Sequence, residues 1–107
     1  MKIALIQMSS KKGDDVDNLC TMVNFLEQAS HEHVNIIVFP EMSLTGYFTS
    51  SKYLHSALTI EDTEVKKIIS LSKIHNLTII FGLAETSDSK TYISQLVAQD
   101  GQLSGIY

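Results

Sequence analysis

The stretch Asn35–Tyr47, NIIVFPEMSLTGY, decides the fold. Asn35–Phe39 is a short run of β-branched and aromatic residues, the composition of a strand buried on both faces, as parallel strands beneath helices are. Pro40 closes the run, because proline has no N–H for a strand ladder. Glu41 follows at once, and Ser43, Thr45 and Gly46 keep the next turn small and polar. A carboxylate is therefore set just past the carboxyl end of a strand, where open α/β sheets place their ligand crevices.

Working outward, KIALIQM (Lys2–Met8) reads as a first strand with both faces mostly buried. SSKKGDDVDN is a polar loop pivoting on Gly13, and Asp14, Asp15 and Asp17 suit a helix N-terminus, where negative charge and side-chain acceptors are favoured. From there to about Ser30, Val16, Leu19, Cys20, Val23 and Leu26 recur at helical spacing, with Met22, Phe25 and Ala29 widening the same face. Beyond the central strand, Met42 to about Ile60 is a long connection carrying Gly46, Tyr47, Phe48 and Tyr53, and loops of that length in compact units tend to be functional flaps.

A second helix begins near Asp62 or Thr63. Its inner face is Val65, Ile68, Ile69 and Ser72, with Leu71 and Ile74 at the margins, and Asn76 is a left-handed stop. LTIIFGLAE supplies a third strand from Leu77 to about Ala84 and TYISQLVAQ a fourth. Asp100-Gly101 is a hairpin signal leading into a fifth strand, QLSGIY. The order is β-α-β-α-β-β-β. It predicts an α/β fold with three parallel strands joined by helical crossovers and a mixed sheet completed by an antiparallel hairpin. No internal repeat, linker or low-complexity segment interrupts it.

The chain of 107 residues carries 44% apolar and 19% charged residues, which supports a folded core. The net charge is −4, Arg is absent and the eight Lys are scattered, so nucleic-acid binding is excluded as a function class. No apolar run reaches the length of a membrane span. The N-terminus does not read as a signal peptide, since its short apolar stretch alternates with polar residues and no small-residue cleavage site follows. The single cysteine, Cys20, has no partner for an internal disulfide, and a cytoplasmic location is expected. His31 and His33 in HEH lack further ligands at matched spacing, and no metal site is expected. No glycine-rich phosphate loop is present. From the residues alone Glu41 has two readings: a functional carboxylate beside a pocket, or a turn cap paired with a surface lysine.

FPEMSLTGY, together with the KIALIQM strand, the IIVFPE strand, the IIFGLAE strand, Tyr92, Asp100-Gly101 and the closing Gly105–Tyr107, resembles the carbon–nitrogen hydrolase family, the nitrilase superfamily. The resemblance runs the whole chain in order. It implies an αββα sandwich of which residues 1–107 are the N-terminal segment, an incomplete domain with one sheet face left for a partner sheet. It also implies a Glu-Lys-Cys mechanism on a small-molecule amide, ureido compound or nitrile, without cofactor, in a homo-oligomer. Carried over by position, Glu41 is the catalytic glutamate, acting as general base while desolvated under the flap, and Tyr47 is a wall of the substrate pocket.

The family's lysine falls one or two residues past the motif ending at Tyr107, and no lysine follows Lys90. The family's cysteine lies farther on still. Cys20 precedes Glu41 and reads as a buried filler on the inner face of the first helix. The chain alone is thus expected to perform no hydrolysis, and the alternative is an inactive module acting only through self-association or subunit packing. Three further positions depart from or echo the family pattern. His33 stands where a glycine is frequent, which predicts a different end for the first helix. Ile93 replaces a frequent asparagine. Glu85 matches a family glutamate and is read as structural.

Overall fold

The computed structural model describes residues Met1 to Tyr107. The elements come in the expected order: β1 (Ile3–Leu5), α1 (Asp15–His31), β2 (Ile36–Val38), a short 3₁₀ helix (Ser51–Ser56), α2 (Thr63–Ile74), β3 (Thr78–Ser87), β4 (Lys90–Gln99) and β5 (Gln102–Ile106). The five strands form one sheet in the spatial order β1-β2-β3-β4-β5. β1, β2 and β3 are parallel, in a register that aligns Leu5 with Val38 and Val38 with Ile80. β4 and β5 add antiparallel, with a register shift at Val97/Ala98.

That spatial order explains the layering. When successive parallel strands always step the same way and crossovers are right-handed, every crossover helix lands on the same face. Met22 and Leu26 of α1 and Val65 and Ile68 of α2 accordingly share one core with Ile37, Ile79, Phe81, Leu83, Leu96 and Ala98. Cross-strand partners point to the same side of a sheet. The other side is therefore lined by Ile3, Leu5, Ile36, Val38, Ile80, Ile93 and Val97, and none of the residues on it is charged. No helix or strand of this chain covers it; the segment after β2 packs only on Gly82 and Ala84 through Met42 and Phe48, and Leu5 and Ile93 are 78% and 56% exposed. The expectation that β1 would be buried on both faces is corrected here. As an edge strand with helices on one side only, it leaves Ile3 and Leu5 open, and it is shorter than Lys2–Met8.

α1 is rotated from the face its apolar spacing predicts. Val16 and Cys20 are exposed, and the buried line is Asn18, Met22, Leu26 and Ala29. The cause is Asn18, a polar residue drawn inward by three hydrogen bonds described below. Cys20 is therefore no core filler. In α2, Val65, Ile68, Leu71 and Ser72 are buried while Ile74 is exposed, so Leu71 belongs to the inner face and Ile69 to its margin. The Ser72 hydroxyl accepts the Gly101 N–H at 2.9 Å and ties the β4–β5 turn to the helix.

Both helices end in the same motif, with a left-handed residue after the cap whose successor's N–H returns to the last turn. At α1 this residue is His33 (φ 56°), and Val34 N–H reaches the Ala29 carbonyl at 3.0 Å. At α2 it is Asn76 (φ 52°), and Leu77 N–H reaches the Ser72 carbonyl at 2.9 Å. The first helix thus closes in the left-handed manner a glycine would allow, with a histidine in place. Asp100 and Gly101 (φ 53° and 76°) form the expected hairpin turn, which needs positive φ at both central positions. β3 runs three residues past Ala84 and meets Lys90 across a second left-handed pair, Asp88 and Ser89.

Candidate functional site

Glu41 stands at the carboxyl end of β2, on a turn whose every neighbour is fixed. Phe39 N–H donates to the Ile80 carbonyl at 2.8 Å and Leu44 N–H to the Gly82 carbonyl at 2.9 Å, so the turn is sewn to β3 at both ends. The two small hydroxyls do the same from the side. Ser43 Oγ accepts the Gly82 N–H at 3.2 Å and Thr45 Oγ1 accepts the Ala84 N–H at 2.9 Å, both side chains being buried. On the opposite flank, the β1–α1 loop closes over the turn. Ser10 Oγ donates to the Ser43 carbonyl at 2.8 Å and Gly13 N–H to the Thr45 carbonyl at 2.8 Å.

Two glycines permit this packing. A Cβ on Gly82 would lie 2.4 Å from the Met42 nitrogen, and one on Gly46, itself at φ 80°, would lie 2.4 Å from the Lys11 carbonyl oxygen. Met42, buried beside Glu41, sits at φ 53°. A left-handed residue with a long side chain costs about 1–2 kcal/mol, and such strain collects at functional sites.

The Glu41 carboxylate itself is exposed and has neither a hydrogen-bond nor an ion-pair partner. The reading of Glu41 as a turn cap or a lysine-paired surface residue finds no support in these contacts. The expectation that the flap desolvates it is corrected. The segment after Gly46 folds away from it, with Phe48, Tyr53 and Ala57 packing on Met42 and Ala84. The parallel strands never reverse their order, so this chain contains no topological switch point, and no crevice forms over the strand ends.

A mostly apolar recess of about 180 Å³ opens beside the turn, lined by Met42, Phe48, Leu54, Ala84, Tyr92 and Ile93 among others. Tyr47 is not among its lining residues and is 55% exposed. Glu85 accepts a hydrogen bond from Ser94 Oγ at 2.7 Å within the β3–β4 pair, a sheet contact in keeping with the structural role expected of it. Cys20 lies on α1, exposed and apart from the turn's contacts. His31 and His33 are exposed at the other end of the sheet, and no cluster of three or more His, Cys, Asp or Glu is present to hold a metal ion.

Sequence reasoning missed the second ring of the site: Ser10, Asn18, Gly82 and Gln95. Two signals were available. Asn18 is a polar residue inside the apolar stripe of α1, and a glycine within a strand, such as Gly82, marks a close backbone approach.

Fold and site together define a layered α/β unit that holds a free carboxylate on a rigid turn at a parallel strand end. The carbon-nitrogen hydrolase profile matches residues 2–107, and the chain belongs to that family. It is 30% identical over 107 residues to a glutamine-dependent NAD(+) synthetase of Acinetobacter baylyi, covering 99% of this chain and 19% of that protein. It is 25% identical to an arylacetonitrilase of Arthroderma benhamiae, covering 96% and 35% respectively. The crystal structure of an amidase from Nesterenkonia sp. superposes with a TM-score of 0.84 at 20% identity, covering 100% of this chain and 41% of that one. The chain thus spans between about a fifth and two fifths of the length of these proteins.

Proposed function

We propose that residues 1–107 are the N-terminal segment of a carbon–nitrogen hydrolase domain and supply its general base, Glu41. The observation that carries this reading is a carboxylate without partners on a turn whose backbone is bonded to β3 and to the β1–α1 loop and strained at Met42. A surface glutamate needs no such mounting. A base that must meet a thiol and later a water within hydrogen-bond reach does.

In the proposed reaction Glu41 takes the proton of a cysteine thiol. The thiolate attacks the carbon of a non-peptide amide, ureido group or nitrile, and a lysine ammonium stabilises the negative charge developing on the substrate oxygen or nitrogen. Glu41 gives that proton to the departing ammonia or amine (a nitrile's thioimidate first adds one water), then accepts a proton from the water that cleaves the acyl-thioester and returns it to the released thiolate. Neither the lysine nor the cysteine is among the 107 residues at a matching position.

The geometry suits a lysine arriving just after Tyr107. Gln95 exchanges both backbone hydrogen bonds with Tyr107 (2.8 and 2.9 Å) and pairs with Gly82, on which the Glu41 turn rests. Gly82, Gln95 and Tyr107 therefore share one cross-strand row, with Gly82 and Tyr107 about 10 Å apart at a spacing near 4.8 Å per strand, and the Glu41 turn lies against the Gly82 end of it. Tyr47, exposed on the same turn, is proposed as a wall of the substrate pocket. The proposed substrate range follows from the relatives, a glutamine-dependent synthetase and an arylacetonitrilase, and comprises amides such as that of glutamine and nitriles.

A second reading, a non-catalytic module that acts by self-association, is favoured by one observation, the uncharged open sheet face. The two are separated in a longer polypeptide containing this segment with the lysine and cysteine. There Glu41→Gln should lower turnover about 10²–10⁴-fold with the fold retained. Turnover near the unmodified level would remove Glu41 from the reaction.

A further inference from the structure

We propose that Asn18 and Gln95 are positioning residues that grip the Glu41 turn from its two sides through their side-chain amides and so fix where the carboxylate stands. The proposal rests on the reading of Glu41 as a base. On the helix side, Asn18 is buried. Its Oδ1 accepts the Lys11 N–H at 2.7 Å, and its Nδ2 donates to the Lys11 carbonyl at 2.8 Å and to the Leu44 carbonyl at 2.9 Å. Its acceptor and both its donors are thereby used, and one of those bonds lands on the turn.

On the open side of the sheet, Gln95 Nε2 donates to the Phe39 carbonyl at 3.3 Å. Gln95 is on β4 and Phe39 follows β2, so the side chain crosses β3 to make this bond. It can cross only because its cross-strand partner is Gly82, where a Cβ would stand 2.7 Å from Gln95 Oε1.

The two anchored carbonyls, Phe39 and Leu44, bracket the residues that matter: Pro40, Glu41, the left-handed Met42 and Ser43. Backbone and hydroxyl bonds attach this segment and its flank to β3 and to the β1–α1 loop. The amides add a direct bond from α1, which also holds the β1–α1 loop through Lys11, and the one bond toward β4. Their chemistry also suits the task. A lysine or arginine could hold a carbonyl equally well, but would pair with the adjacent carboxylate and hold it in the charged form. A neutral amide fixes the backbone and leaves Glu41 free to exchange protons.

The test uses the 107-residue chain and amide hydrogen exchange read by mass spectrometry at low micromolar concentration. Gln95→Met keeps length and removes the donor. It should speed exchange in the peptide spanning residues 40–46 by roughly three- to tenfold, the weight of one hydrogen bond, while exchange in α2 stays unchanged. Gln95→Glu should do the same at neutral pH, where the carboxylate faces a carbonyl. Its exchange ratio to wild type should return toward one as the pH falls through the ordinary glutamate range, about 4.3, because the protonated acid regains a donor.

Asn18→Asp retains the acceptor and removes the two donors, and should loosen the same peptide. Should that variant unfold, the two Gln95 variants decide alone. If both leave residues 40–46 at the wild-type rate at every pH, Gln95 merely fills space and the proposal is overturned. None of these readouts involves turnover. An active Glu41→Gln in the longer polypeptide would refute the base and leave the grip on the turn standing, and the reverse outcome would refute only the grip.

Discussion

Replacing Gly82 by alanine asks whether the closeness of the Glu41 turn to β3 is a real constraint. A single methyl group would sit 2.4 Å from the Met42 nitrogen and 3.1 Å from the Glu41 carbonyl carbon, both backbone atoms, and 2.7 Å from Gln95 Oε1. Side-chain rotation can relieve only the last of these. The turn would have to lift, stretching Leu44 N–H···O=C Gly82 at 2.9 Å and both Ser43 hydroxyl contacts.

Overpacking of this kind costs about 1–3 kcal/mol, while the reduced freedom of the unfolded chain returns about 0.4–1 kcal/mol. The net loss is about 1–2 kcal/mol, which for a domain of this size lowers Tm by roughly 5–15 °C. Thermal unfolding followed by circular dichroism measures it, with Gly105→Ala as the control. At Gly105 the nearest atoms are those of the exposed Tyr107 ring, at 3.2 Å and beyond, and that ring can swing away. The control should be neutral or slightly stabilising. If Gly82→Ala matched or exceeded wild-type stability, the turn would not be seated on β3 as described, and the account of why Glu41 is held there would fail.

His33→Gly should stabilise the chain by up to about 1 kcal/mol, since it relieves a left-handed penalty of about 1–2 kcal/mol and gives part of it back as unfolded-state entropy; a urea titration showing a loss would mean that the His33 ring makes a compensating contact. Cys20, exposed on α1, should be alkylated by iodoacetamide in the native chain at a rate close to that of the unfolded chain, and strong native protection would contradict the observed orientation of the helix. The chain should self-associate at micromolar concentration through the uncharged sheet face, because exposed apolar patches of that extent mark interfaces. Light scattering should show the association fall in Leu5→Lys/Ile93→Lys, and a wild-type monomer that binds no hydrophobic dye would count against it.

The number and kind of the elements could be read in the sequence because they depend on local periodicity. The apolar run before Pro40 is a strand, α1 and α2 lie where the helical spacing puts them, and Asn76 and Asp100-Gly101 turn as their side chains allow. Glu41 was legible as a candidate for the same reason: a carboxylate right after a strand-ending proline is a local pattern. The facing of α1 was not, because the spacing argument treats Asn18 as a polar residue to be turned outward, and its inward position exists only once Lys11 and Leu44 are brought to it. Nor was the exposure of Glu41. Whether a strand end is roofed depends on whether the strand order reverses, and strand order is a property of the assembled sheet. Here the order runs straight from β1 to β5, both helices fall on one side, and most of the sheet's other face and the carboxylate at its rim are left open.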